Sequence, residues 1–117
     1  MVGNLLVDKS RAFALKSIRA YECLQNKREY ILSKQFLRSA TSIGANIAEG
    51  QYAQSKADFL AKYSIVLKEA SETQYWLDLL VDAGYLSDSY PKTELMSDCS
   101  ELVRLLSASI KKLKNIK

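Results

Sequence analysis

The chain contains no histidine, one proline, four glycines and two cysteines in 117 residues. Without histidine there is no imidazole to shuttle protons near neutral pH. A Ser-His-Asp or Cys-His nucleophilic mechanism is excluded with it, as is any metal site that needs an imidazole ligand. The shortage of glycine, and of proline beyond Pro91, favours long uninterrupted helices over short strands joined by many turns. Cys23 and Cys99 form no Cys-x-x-Cys pair, and free thiols are expected in preference to a disulfide. No stretch approaches the ~20 apolar residues of a membrane span, and residues 1–9 lack the apolar centre of a secretory signal. A cytoplasmic protein with no membrane partner is expected. There is no phosphate-cradling glycine loop of the Walker type.

What is present is apolar and charged. Hydrophobic residues make up 48% of the chain, enough for a true core, and the length suits one domain spanning residues 1–117. The net charge of +4 is unevenly spread: residues 1–56 carry nine Lys/Arg against four Asp/Glu, residues 57–110 four against nine, and residues 111–117 add four lysines.

Four helical segments follow from the apolar spacing. The first runs from about Asp8 to Asn26, with Phe13, Ser17, Ala20, Tyr21 and Leu24 on one face and Arg11, Leu15, Arg19 and Glu22 on the other. The second runs to about Tyr52, with Ser33 as its expected N-cap and Phe36, Ala40, Ile43, Ile47 and Gly50 as its apolar face. Gly44 and Ala48 are expected where a neighbouring backbone approaches closely. Ser55, followed three residues later by Asp58, resembles a capping box for a third helix from Lys56 to about Ala83. Its stripe is Phe59, Tyr63, Val66, Leu67, Ala70, Thr73, Leu77, Leu80 and Val81, and Gly84 is placed to end it. Pro91 suits the first turn of a fourth helix, which carries Leu95, Cys99, Leu102, Leu106, Ile110 and Leu113. Short connections make successive helices antiparallel. The expected fold is all-α: an antiparallel up-down-up-down four-helix bundle.

The third helix has a second apolar side, formed by Ala61, Ile65, Glu72, Trp76, Leu79 and Ala83. A monomeric bundle should be polar there. Tryptophan is also a favoured interface anchor. Ile65, Glu72, Trp76 and Leu79 are therefore the expected contact between copies in a homo-oligomer. Glu69 and Glu72 need cationic partners, with Arg38 or a neighbouring subunit as the source.

No constellation points to catalysis. Glu49, Glu69 and Glu72 lack the Glu-x-x-His pairing of di-iron bundles, so no metal and no cofactor are expected. Asn46 and Glu49 are read as a buried polar pair that fixes helix register. The serines have no base beside them. The basic residues are the best binding candidates: Lys9, Arg11, Lys16, Arg19, Lys27 and Arg28 on or beside the first helix, and Lys111, Lys112, Lys114 and Lys117 at the chain's end. The topology puts the start of the first helix beside the end of the fourth, where such a cluster would attract a phosphate backbone in RNA or DNA. A scaffold that docks a protein partner through the acidic third helix is the alternative.

The run Arg38-Ser39-Ala40-Thr41-Ser42-Ile43-Gly44-Ala45-Asn46-Ile47-Ala48-Glu49-Gly50 resembles the signature of the four-helix-bundle family encoded in intervening sequences of bacterial 23S rRNA genes. The run Leu67 to Leu77, with Glu72 and Trp76, is similar to the tryptophan-bearing version of that family. The resemblance implies a four-helix bundle assembled as a pentamer, with Arg38, Asn46, Glu49, Gly50 and Glu72 as signature positions. It also implies kinship with the accessory variability protein of diversity-generating retroelements, a basic pentamer that binds nucleic acid and a reverse transcriptase. Two departures are visible: Ser39 stands where many relatives have a second arginine, and the first loop has no Phe-Pro.

Overall fold

The computed structural model describes residues 2–87 and 92–115. Four helices account for most of them: α1 (Val2–Asn26), α2 (Leu32–Gly50), α3 (Lys56–Asp82) and α4 (Lys92–Lys114). Each helix packs on its sequence neighbours and α1 closes the ring against α4, while the backbones of the diagonal pairs α1/α3 and α2/α4 stay more than 8 Å apart, Cα to Cα. The result is a four-cornered rod of 50 × 20 × 19 Å. Every described pairing is antiparallel. Gln25 near the end of α1 bonds Ser33 near the start of α2, and Ser39 of α2 bonds Thr73 of α3. The expected all-α, up-down-up-down bundle is what the chain forms. Pro91 and Lys117 lie outside the described residues.

The core is the set of faces that the spacing marked. Phe13, Ala20 and Leu24 from α1, Phe36, Ala40, Ile43 and Ile47 from α2, Tyr63, Val66, Ala70, Leu77 and Leu80 from α3, and Leu95, Cys99, Leu102, Leu106 and Ile110 from α4 are all buried. Leu6 and Ser10 extend the α1 face toward its start, because that helix begins at Val2 rather than Asp8. Phe59, Leu67 and Val81 only pack partly against this core. Each helix thus buries one stripe and leaves an outer face to be satisfied by water or by a partner.

The helix ends show how local chemistry sets the boundaries. Two helices close with the same left-handed turn. Gly84 (φ 85°) ends α3 while Tyr85 N–H donates to Leu80 O at 2.9 Å and Gly84 N–H to Val81 O at 3.0 Å. Arg28 (φ 62°) ends α1 while Glu29 N–H donates to Leu24 O at 3.0 Å and Arg28 N–H to Gln25 O at 2.9 Å. Both satisfy orphan carbonyls of the last turn, but only glycine does so without crowding its own Cβ. Ser55 caps α3 as expected, its hydroxyl accepting from Asp58 N–H at 3.0 Å.

Ser33 does not cap α2. It lies buried inside the first turn and donates to Glu29 O at 2.7 Å. The cap is the Glu29 carboxylate, which accepts from the N–H groups of Ile31 (3.2 Å), Leu32 (3.0 Å) and Ser33 (2.6 Å). One side chain outside the helix thus serves three of its orphan donors. Burial alone raises the pKa of Glu29, but these backbone bonds outweigh it and hold the carboxyl below its ordinary value.

The expected approach of a neighbouring backbone is found at Gly44 and not at Ala48. Ala48 is exposed. Gly44 does face α1, but an added Cβ would sit 3.6 Å from Ser10 O and Oγ, an ordinary contact. Gly44→Ala should therefore raise stability by about 1 kcal/mol through helix propensity alone, read as a higher midpoint in urea. The glycine that packing requires is Gly50, where a Cβ would come within 3.0 Å of the Tyr63 ring.

Candidate assembly and nucleic-acid surfaces

The signature residues on α2 divide into one packing residue and a polar row. Gly50 is the packing residue. Arg38 reaches across to α3, pairing with Glu69 at 3.4 Å and with Glu72 more closely. Glu72 also accepts the indole N–H of Trp76 at 3.0 Å. This places Arg38, Glu72 and Trp76 in one network on the outer α2/α3 seam. Asn46 donates to Ser42 O of its own helix at 2.9 Å. Glu49 is exposed, so Asn46 and Glu49 do not form the expected buried pair. Among the described residues no three Asp, Glu, Cys or His side chains are grouped to hold a metal.

The second apolar side of α3 is half covered by its own subunit. Trp76 packs partly against the core, and Leu79 is partly buried. Ile65 remains 50% exposed. Tyr75, absent from the expected stripe, is 57% exposed and stacks edge-on to Trp76 with ring centroids 5.2 Å apart. Its neighbour Trp76 drew the helical periodicity toward the α2 seam, and Tyr75 points away from it by one residue's rotation.

A second unpartnered face lies on α1. Leu5, Leu15 and Ile18 are exposed by 42, 53 and 41%. Leu15 stands four residues from both Arg11 and Arg19, and all three are exposed. The position of Leu15 opposite Phe13 follows from helical spacing.

Of the basic candidates, Arg11 and Arg19 lie exposed on this α1 face, and the other seven separate into three groups. Lys9 bonds Glu101 at 2.9 Å, and Lys16 bonds Asp98 at 2.7 Å and Glu94 more closely. The hydrogen bonds that Lys16 donates to Asp98 and Glu94 raise its pKa. Both lysines are thereby committed to α4. Lys27 and Arg28 lie at the opposite end of the rod from the C-terminal lysines, and Lys27 donates to Tyr85 O at 2.7 Å. Lys111, Lys112 and Lys114 are exposed, and no described carboxylate pairs with them.

Helix α4 is consequently polarised. Its first half carries Glu94, Asp98 and Glu101, which answer the lysines of α1. Beyond Glu101 it carries Arg104, Lys111, Lys112 and Lys114 and no carboxylate. The α4 macrodipole favours cations at this end. Lys111 and Lys114 flank a shallow open groove of about 320 Å³ with Leu67, Ser107, Ile110 and Asn115.

Both cysteines are free. Cys99 is buried beside Ala70 O, and burial, with Asp78 and Asp98 nearby, pushes its thiol up to about 12. It is a core residue, not a nucleophile. No helix among the described residues is long and apolar enough to cross a membrane.

These features define a four-helix bundle whose distinctive side chains lie on its outer faces and at one end. The chain belongs to the 23S rRNA-intervening sequence protein family, whose model matches residues 4–108. It is also similar to a solved structure of a protein with unknown function, from the S23 ribosomal protein family of Bacteroides thetaiotaomicron. The two are 45% identical with a TM-score of 0.90, over 95% of this chain and 99% of that one. No curated protein matches.

Proposed function

We propose that this chain is a non-enzymatic, self-associating bundle that binds the phosphate backbone of RNA or DNA as an accessory factor. The observation that carries the reading is the acid-free end of α4, where Lys111, Lys112 and Lys114 stand exposed and no described carboxylate pairs with them. Three neighbouring exposed cations attract a polyanion without selecting its sequence. Self-association repeats this end around the assembly and multiplies the local charge. The name of the matched family, which refers to 23S rRNA, agrees with a ribonucleoprotein setting.

The assembly surface is the outer side of α3, around Ile65, Glu72, Trp76 and Leu79. Half-exposed Ile65, with Tyr75 and Trp76 about three turns further along the same helix, gives α3 apolar surface of the kind that a partner removes from water. Trp76→Ala is expected to lower the mass measured by light scattering while helicity by circular dichroism stays near wild type, since the ring is only partly packed on the core. An unchanged mass would contradict the assignment.

Filter binding of structured RNA and of duplex DNA across a salt series tests the nucleic-acid reading. Binding that weakens steeply as salt rises supports it. No binding at low salt removes it and leaves a scaffold for a protein partner as the surviving function.

A further inference from the structure

We propose that the lysine-rich end of the rod takes single-stranded nucleic acid in preference to a duplex, with Tyr52 stacking on an unpaired base. The proposal rests on the phosphate-backbone reading above and adds the class of nucleic acid that this end selects.

The first observation is the position of Tyr52. It stands in the short connection between α2 and α3 and is 85% exposed. A single exposed tyrosine is ordinary on a protein surface, but this one sits beside a groove. Its sequence neighbours Gln51 and Ala53 line an open groove of about 360 Å³ together with Gly50, Lys56, Phe59 and Leu113. Phe59 comes from the first turn of α3 and Leu113 from the last turn of α4, so the groove opens over the end of the core. The groove flanked by Lys111 and Lys114 borders the same turn of α4. Tyr30 and Tyr75 are also exposed, but they lie at the opposite end of the rod and in the middle of α3.

The second observation is that the connection is held in place. Tyr52 N–H donates to Glu49 O at 3.0 Å, and Ala53 N–H donates to Gly50 O at 3.1 Å. Beyond it, Gln54 N–H donates to the Asp58 carboxylate at 3.1 Å and Ser55 caps α3. The Phe59 ring packs on Tyr63 with centroids 4.1 Å apart, which fixes one wall of the groove. The Tyr52 ring is thus carried on an ordered backbone, and a ligand that stacks on it need order little of the chain.

The third observation is charge. Lys56, Lys111, Lys112 and Lys114 are all exposed on or beside the two grooves. Of the acids near the connection, Asp58 is engaged with the backbone at Gln54. Glu49 is exposed, but it belongs to α2, the corner diagonal to α4.

Lysines suit any phosphate backbone, so they do not choose between a duplex and a single strand. The ring beside them does. A duplex keeps its bases stacked inside and offers this end only phosphates. An unpaired strand offers phosphates and open base faces together, and stacking on an aromatic ring accepts any base. A fixed, exposed tyrosine next to a cationic groove therefore adds affinity for unpaired strands alone.

The test uses the full chain and filter binding at low salt. The probes are oligouridylate and oligothymidylate of about ten nucleotides, within the usual footprint of such a site, and blunt RNA and DNA duplexes of the same length. Wild type should hold the single strands more tightly than the duplexes. Tyr52→Ala should weaken single-strand binding about tenfold and leave duplex binding unchanged. Tyr52→Phe, which keeps the ring, should bind like wild type, and Tyr30→Ala should change neither. At 85% exposure the Tyr52 side chain supports no core, so both Tyr52 variants should show native helix content by circular dichroism. The expected pattern in only one of RNA and DNA supports the proposal and names the ligand. Duplex binding as tight as single-strand binding, equal losses on both from Tyr52→Ala, or the same loss from Tyr30→Ala overturns the stacking site and leaves phosphate-backbone binding standing. No binding of any probe overturns both.

Discussion

Replacing Lys111, Lys112 and Lys114 together by glutamine is expected to weaken binding of structured RNA by about a hundredfold or more at 0.1 M salt. Each phosphate contact contributes a slope of roughly −0.9 in log K against log salt on duplex DNA and −0.7 on single strands, so losing three contacts flattens the slope by about two to three. The three lysines sit beyond the last carboxylate of α4 and make no described ion pair. Their replacement breaks no described ion pair of the bundle. Fold and assembly should survive, which separates this variant from one that merely unfolds. The paired variant Lys9→Gln with Lys16→Gln makes the contrast. Those side chains are held by Glu101, Asp98 and Glu94, so their loss should change RNA affinity much less. Equal losses from both variants would show that total charge, not the α4 end, governs binding.

Glu29→Ala is expected to be the most destabilising substitution of a charged residue in the chain. It removes the carboxylate that accepts from Ile31, Leu32 and Ser33 N–H, one of which is buried. A cap of this kind contributes about 1–2 kcal/mol, and a buried donor left without a partner adds to the loss. A fall in melting temperature of roughly 8 °C should follow for a domain of this size. The pH dependence has a defined sign. The folded pKa of Glu29 lies below its ordinary value of 4.5. Its contribution to stability is therefore complete above that pH and is lost as pH falls through the folded pKa. Between about pH 5 and pH 3, wild type should lose more stability than Glu29→Gln, measured by urea unfolding at each pH. Parallel curves for the two proteins would show that the charge on Glu29 does not stabilise α2.

Much of this architecture can be read from residue spacing. Phe36, Ala40, Ile43 and Ile47 repeat at three and four residues, and all four are buried. Gly84 and Ser55 end and begin α3 through backbone conformation and a short-range hydroxyl bond, both local effects that a sequence carries openly. Glu29 shows the limit. It caps α2 from outside the helix, through a connection whose path is set by the left-handed turn at Arg28, and Ser33 has the more familiar cap chemistry. Asn46 and Glu49 were close enough in register to suggest a buried pair, but a rotation of a few tens of degrees leaves Glu49 in water.

The surfaces were legible in kind and not in arrangement. Lysines on α1 and carboxylates on α4 are evident in the sequence, yet their pairing depends on the register between helices some eighty to ninety residues apart. That register divides seven of the nine basic candidates into committed, distant and free groups, while Arg11 and Arg19 lie exposed on the outer face of α1. The same holds for α3. Its two apolar sides follow from periodicity, whereas the share covered by α2 depends on the reach of Arg38 to Glu69 and Glu72.

Exposed Leu15 and Ile18 on one corner and exposed Ile65 and Tyr75 on the opposite corner are more apolar surface than a lone bundle should present to water. The light-scattering mass of the wild-type chain over a range of concentrations tests that claim most directly. A particle several times the 13.2 kDa of one chain is predicted. A 13.2 kDa particle at every concentration would contradict it.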